Sequence, residues 1–303
     1  ARRAPRRLMH CELAITGLFG ASADERFAAL ELLLARGRRL RGPARSLEAW
    51  LSEAFELGDG PFPAGALTML GCGADPGDAL WARADPAHLR VMRDHVASAP
   101  DDAFAVQQTE AQVLCDALSR HFAGQLEFQA CEARRWCVRQ LSDAPLGDAL
   151  LNEVQMLLHA HPVNEAREAR GELAINSLRL WGAGRAPRSA QCRWQSVAAA
   201  DPAVRGAARL AAARHRPLPG SAQEWVDALP QDGRHLAVLD AGQAPLAELE
   251  RDWFAPLLAA LRAGRAGMLT LHALDGTEEV SFETIRGDLR RFWRIKKPIE
   301  HYA

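Results

Sequence analysis

Lysine is nearly absent: of 37 basic side chains among 303 residues, only Lys296 and Lys297 are lysines and the rest are arginines. Such a bias toward arginine, beside abundant alanine, weakens the meaning of any single arginine. The 37 cations meet 38 acidic side chains, a net charge of −1, so no overall field draws the chain to nucleic acid or to an anionic membrane. A polyanion partner would need a local patch, and nucleic acid is not expected. The C-x-x-C spacing is also missing. The six cysteines are scattered, which argues against a zinc site and for reduced thiols in a cytoplasmic protein. No apolar run approaches the ~20 residues that a membrane helix requires. The arginine-rich residues 1–7 lead toward Glu12 and a helical pattern, without the apolar core of a secretory signal. Internal repeats and low-complexity linkers are lacking as well.

The remaining composition, 48% hydrophobic and 25% charged, is that of a soluble globular chain long enough for two domains or for one domain with a large insertion. Residues 13–19 (LAITGLF) predict a buried strand before a turn, and residues 26–36 a helix stopped by Gly37. Residues 46–57 predict an amphipathic helix with Ser46 as N-cap, and residues 67–70 a short apolar helix before the turn GCGADPGD. Charge density and Pro86 leave residues 81–96 unplaced between strand and loop. A helix at 109–122, begun by Thr109, is followed by extended segments at 126–130 and 136–141, the pattern of a small α+β unit. Residues 146–159 read as a helix with one buried face, and 165–170 as a charged helical segment ending at Gly171. Residues 177–181 are extended and then turn at Gly182-Ala183-Gly184. The alanine-rich residues 189–213 are ambiguous. His235–Asp240 (HLAVLD) is the best parallel-strand candidate. Residues 253–262 read as a helix despite Pro256, and residues 268–273 and 279–282 as an antiparallel pair about Asp275-Gly276.

The densest polar constellation is His161-Pro-Val-Asn164, Arg167, Arg170, Gly171, Asn176 and the Gly182–Gly184 turn with Arg185. Forked arginine donors, a glycine turn and an orienting asparagine suit an anion pocket. The competing reading pairs Arg167 and Arg170 with Glu165, Glu168 and Glu172 on a solvated helix. His159-x-His161 lacks the ring convergence a metal needs, and Ser22 has no base near it in the sequence.

His161-Pro-Val-Asn164, Arg167, Arg170-Gly171, Asn176 and Leu178-x-Leu180-Trp181-Gly182-Ala183-Gly184 are similar to the HPxN…R…G…AN…LLRGAG segment of archaeal-type, cofactor-independent phosphoglycerate mutases. With Arg83-Ala-Asp85-Pro-Ala-His88-Leu89, Arg251-Asp-Trp253-Phe-Ala-Pro256-Leu and Arg291-Phe-Trp293-Arg294, most of the chain resembles a shorter proteobacterial offshoot. Members of that offshoot are described as phosphoglycerate-mutase-like or as regulatory proteins of pathogenicity-factor clusters. The resemblance implies an α/β fold: an alkaline-phosphatase-like core in residues 1–87 and 188–303, with a small inserted α+β cap and hinge in residues 88–187. It also implies a phosphometabolite cleft between core and cap, lined by His161, Asn164, Arg167, Asn176 and Arg185.

The family's chemistry needs two divalent metals held by Asp and His, and a Ser or Thr nucleophile. This chain departs from that pattern. No Asp-Gly pair follows the first strand, Ala241 follows Asp240 where His is expected, and Trp181 replaces the Arg before Gly-Ala-Gly. The expectation is therefore a protein without catalytic residues, metal or cofactor that binds or regulates. The alternative is an active metal-dependent mutase or phosphatase with a rearranged site of Asp24, Asp240, His272 and Asp275. A third reading is an interaction protein docking a partner through aromatics around Trp253 and Trp293.

Overall fold

The computed structural model describes residues 8–19, 25–91, 93, 96–99, 103–142, 148–242, 244–274 and 279–303. The chain opens with β1 (Met9–Thr16), α1 (Ala28–Arg36), β2 (Arg38–Gly42) and α2 (Leu47–Ala54). There follow α3 (Ala64–Gly71), β3 (Trp81–Ala87), β4 (Leu89–Val91), β5 (Val96–Ser98) and α4 (Gln108–His121). Next come β6 (Leu126–Glu132), β7 (Arg135–Gln140), α5 (Asp148–His159), α6 (Pro162–Ala169) and β8 (Ser177–Gly184). The last stretch holds β9 (Ser196–Ala199), α7 (Pro202–Leu210), β10 (Arg214–Arg216), α8 (Ala222–Asp227), β11 (Arg234–Asp240) and α9 (Leu246–Leu249). A π-helical turn, Glu250–Phe254, leads into α10 (Ala255–Ala263), and β12 (Ala266–Leu274) and β13 (Glu279–Ile285) close the fold.

Two compact units result. The first comprises Ala1–Glu56, Ala190–Ala200 and Ala208–Ala303, and the second Leu57–Ser189 with Asp201–Ala207. The boundary expected at 87/88 falls inside the second unit, because β3 is hydrogen-bonded between β7 and β8.

The first unit is a seven-stranded sheet in the order β10-β9-β11-β1-β12-β13-β2. Strands β10, β9, β11, β1 and β12 run parallel, and β13 and β2 are antiparallel. Side chains alternate along β1, so Cys11, Leu13 and Ile15 enter one apolar core with Leu239, Leu269, Leu271 and residues of α1, α8 and α10. His10, Glu12, Ala14 and Thr16 therefore take the other face. Parallel β11 reads as an unbroken apolar run because residues of both parities are buried. Ser46 caps α2 by accepting from Ala49 N. Pro256 sits in the first turn of α10, directly after the π-helical turn. Trp253, a suggested exposed anchor, is buried against Trp225 with ring centroids 5.9 Å apart. Both sheet edges carry arginines: Arg38, Arg39 and Arg41 on β2, Arg214 and Arg216 on β10.

The second unit is α+β, with an antiparallel sheet in the order β6-β7-β3-β8. Its main core joins Ala84, Phe128, Trp136 and Val138 to Leu114 and Leu118 of α4 and Leu158 of α5. Gln107, rather than Thr109, caps α4, in a reciprocal capping box with Glu110. Strand β8 runs through Gly182 to Gly184, where a turn was expected. The glycines there serve close packing: a Cβ on Gly182 would lie 2.4 Å from Ala64 Cβ. Asp275, Gly276 and Leu146 lie outside the described residues, as do Ser22 and Asp24.

Candidate functional site

Open α/β sheets bind ligands beyond the carboxyl ends of their parallel strands. In the first unit Thr16 ends β1 and Asp240 ends β11, in register with each other. Thr16 Oγ1 donates to Asp240 Oδ1 at 2.9 Å. The Gly242 N–H donates to the same oxygen at 2.9 Å, and Ala241 N–H donates to Thr16 O at 2.9 Å. Gly17 turns the chain here at φ +69°, and a Cβ on it would approach Gly242 N to 3.2 Å, so glycine meets both a conformational and a spatial demand.

The metals implied by the resemblance do not fit the donors that the described residues place at this strand end. Among the described residues no three His, Cys, Asp or Glu side chains are grouped to hold a metal ion. Two histidines of the C-terminal half, His235 and His272, are engaged elsewhere. His235 is buried, with Nδ1 2.8 Å from Ser196 Oγ and Nε2 3.0 Å from Asp232 O, and burial lowers its pKa. His272 lies level with Ala14, two residues before the end of β1, and belongs to a buried network around Glu12.

That network is the most strongly charged interior feature of the first unit. The Glu12 carboxylate is fully buried. Arg193 Nη2 donates to its Oε2 at 2.7 Å and Arg234 Nε to its Oε1 at 2.8 Å. His272 Nε2 lies 3.5 Å from Oε2 and His10 Nδ1 3.7 Å from Oε1. His272 Nδ1 is 2.9 Å from Ser281 Oγ, and its ring packs 5.1 Å from that of Trp50. Beside it, Glu279 pairs with Arg45 Nε at 3.1 Å. Burial opposes ionisation of Glu12, but the adjacent His272 and the charge of Arg193 outweigh it and hold its pKa far below the carboxylate range. Burial also pulls His272 down, yet Glu12 and Glu279 win and its pKa is raised. His10, where burial dominates, is lowered to about 4. Glu12, His272 and Ser281 are the residue types of a nucleophile relay. Ser281, however, is buried in mid-strand with Oγ also 3.5 Å from Glu279 Oε1, so its hydroxyl ties β12 to β13. Sequence reasoning missed this cluster. Its signal was a glutamate at a position followed directly by the apolar run Leu13–Ile15.

In the second unit four of the five expected ligand contacts, Asn164, Arg167, Asn176 and His161, make hydrogen bonds within the chain. Asn164 is buried: its Nδ2 donates to Leu158 O and Ile175 O at 2.7 and 2.8 Å, and its Oδ1 accepts from Ile175 N at 2.7 Å. Arg167 is buried too, with Nε donating to Leu173 O at 2.8 Å, Nη1 to Glu110 Oε2 at 2.5 Å and Nη2 to Ala105 O at 2.6 Å. Asn176 bridges the backbone of Leu89, accepting from its N–H at 2.7 Å and donating to its carbonyl at 2.9 Å. His161 caps α6 by accepting from Val163 N. A polar type in a buried loop must find such partners, which is why residues that read as ligand contacts serve the backbone here. Arg185 alone of the five is exposed. Arg170 pairs with Glu110 at 2.7 Å and Glu172 at 2.8 Å.

Trp181, the substituted position, donates from Nε1 to Asp85 Oδ2 at 2.8 Å. Asp85 Oδ1 accepts from Arg83 Nε and Nη2 at 2.9 and 2.7 Å, and Arg83 Nη1 reaches Asp201 Oδ1 at 3.1 Å. Arg83 and Asp85, two of the charges that left residues 81–96 unplaced, thus neutralise each other inside the sheet.

No protein-family model matches the sequence, and no curated protein does. Among solved structures, the chain is similar to the PH0037 protein from Pyrococcus horikoshii, with a TM-score of 0.56 and 16% identity over 92% of this chain and 87% of that one. It is also similar to the cofactor-independent phosphoglycerate mutase from Thermoplasma acidophilum, with a TM-score of 0.52 and 18% identity over 98% of this chain and 95% of that one. At such identities the likeness concerns the fold, which is phosphoglycerate-mutase-like, of the alkaline-phosphatase α/β type. No helix among the described residues is long and apolar enough to cross a membrane.

Proposed function

We propose that this chain is a non-catalytic protein on the phosphoglycerate-mutase fold, binding a phosphorylated small molecule and acting through binding or regulation. The observation that carries the reading is at the strand end. Asp240 Oδ1 accepts from Thr16 and Gly242, while His235 and His272 are committed to partners within the sheet. Phosphoryl transfer with neither metal nor clustered cations leaves the transition-state charge unstabilised. The test is metal analysis of the purified protein, turnover of 3-phosphoglycerate with added manganese, and calorimetry with the same ligand. Binding without turnover is expected. Two equivalents of bound manganese or zinc together with turnover overturn the non-catalytic reading, and a silent titration overturns the phosphometabolite reading.

Arg185 is the proposed phosphate contact because its guanidinium is exposed. Arg185→Ala should weaken phosphoglycerate binding about tenfold, the scale of one charge-assisted contact, and leave stability unchanged. Arg167→Met should instead lower stability by about 3 kcal/mol, because Glu110 loses its buried partner. Calorimetry and urea denaturation on both variants separate the two roles.

A second reading, docking of a protein partner, is supported by Phe292, Trp293 and Ile295, which are 79%, 65% and 79% exposed. Beneath them Arg291 and Arg294 anchor the segment by donating to Arg36 O and Gly37 O at 3.3 and 2.7 Å. Exposed, anchored aromatics of this kind mark interaction surfaces. A Phe292→Ala/Trp293→Ala variant should lose partner recovery in pull-down and keep the wild-type melting temperature. Unchanged recovery removes this reading.

A further inference from the structure

Six cysteines and five methionines hold all the sulfur in 303 residues, and three of those side chains meet inside the second unit. Cys131 Sγ lies 3.6 Å from Cys137 Sγ and 3.5 Å from Met69 Sδ. Three elements supply them: Met69 comes from α3, Cys131 from β6 and Cys137 from β7. Strand alternation explains the meeting. Trp136 and Val138 enter the core shared with α4, so Cys137 between them takes the other face, where it packs with Ala66 and Met69 of α3. The register of β6 against β7 shifts between Ala130 and Glu132, which sets Cys131 at the irregularity. Met69 and Cys137 are buried and Cys131 is half-buried, so the cluster is reached from the Cys131 side.

We infer that Met69, Cys131 and Cys137 form a binding site for a soft monovalent metal ion, copper(I). Two thiolates and a thioether are donors that select copper(I) over the harder ions, which take oxygen ligands. Three sulfurs each about 2.3 Å from an ion at the centre of their plane stand about 4 Å apart, so the two observed separations need open by only about half an ångström. Uptake is an exchange. Two S–H bonds break, two copper–thiolate bonds form, Met69 Sδ donates the third, and two protons pass to solvent. Copper stays monovalent, so no oxidant or reductant takes part. The bound group carries one net negative charge, and Arg83, directly opposite Cys137 in the register of β3 and β7, brings a guanidinium to the same face. Zinc is disfavoured, because its structural sites take four cysteines or histidines and, among the described residues, no third His, Cys, Asp or Glu is grouped with this pair. The site uses no residue of the strand end at Thr16 and Asp240 and does not depend on the ligand-binding reading.

The test adds copper(I), as its acetonitrile complex, to the reduced full chain without oxygen and measures the copper retained against the chelator bathocuproine disulfonate. One equivalent per chain is expected, with sulfur ligands in X-ray absorption. Cys131→Ser should weaken binding by at least about a hundredfold, the scale of one lost ligand. Cys192→Ser, in the first unit, should leave it unchanged. Met69→Leu keeps the side-chain volume and both thiols, so it should fold as the wild type does and guards against a folding defect in the serine variant. It should weaken binding about tenfold, the lower end of the range for partners that tune a metal site. Full affinity in Cys131→Ser or in Met69→Leu overturns the proposal. So does failure to retain one equivalent, oxygen or nitrogen coordination, or displacement of the copper by excess zinc.

Discussion

Glu12→Gln lowers the stability of the chain by about 3–5 kcal/mol, the cost of removing one partner from a buried charge cluster. The substitution preserves volume, so packing does not explain the loss. Arg193 and Arg234 are half-exposed and recover part of their solvation, but His272 is buried and stays beside a neutral amide. Urea denaturation at neutral pH measures it, and a loss below about 1 kcal/mol overturns the account. The same cluster shapes the pH profile. His10 is lowered to about 4 from 6.5, so the unfolded chain binds its proton first, and the contribution of His10 is lost as pH falls from 6.5 toward 4. Glu12, also lowered, adds a further loss below the ordinary carboxylate range. His272 is raised, so its contribution is complete below 6.5 and is lost as pH climbs through its folded value. Melting temperature should therefore peak near neutrality and fall on both sides. His10→Asn should remove the part of the acid-side slope that lies between 4 and 6.5. An unchanged slope in that variant would refute the assignment to His10.

Gly206→Ala, or Gly71→Ala, is expected to cost about 3 kcal/mol, the upper range for overpacking. A Cβ on Gly206 would sit 1.8 Å from Leu67 O, and one on Gly71 would sit 1.9 Å from Pro202 O. Both obstacles are backbone, so α3 and α7 must separate at their crossing. Gly220 provides the control, since a Cβ there meets nothing within 4 Å and Gly220→Ala should be neutral. Similar stabilities for the alanine variants at positions 206 and 220 would disprove the contact.

These glycines show why part of the fold was legible in the sequence and part was not. Strand β11 was read correctly because an apolar run bounded by glycines carries its own signal. The helix of α1 was read because Leu30, Leu33 and Leu34 repeat at helical spacing. Gly71 instead looked like the start of a turn and Gly206 like one more small residue in an alanine-rich stretch, because what they do is set by a partner 135 residues away. Strand β3 was obscured for a related reason. Charge density left residues 81–96 unplaced, whereas Arg83 and Asp85 bury each other's charge. At the candidate site, Asp240 was legible as a strand end. His272 was named for a rearranged site, but its pairing was not legible, because its partners Glu12 and Ser281 come from neighbouring strands.

The borders of the seven-stranded sheet have a consequence for behaviour in concentrated solution. An unpaired strand is a template on which another chain can add, and cationic side chains at both rims set up repulsion against an identical neighbour. In a chain with two lysines, arginines on β2 and β10 take on that gatekeeping. Replacing those rim cations with threonine or valine would remove that repulsion and open the sheet to fibrillar stacking.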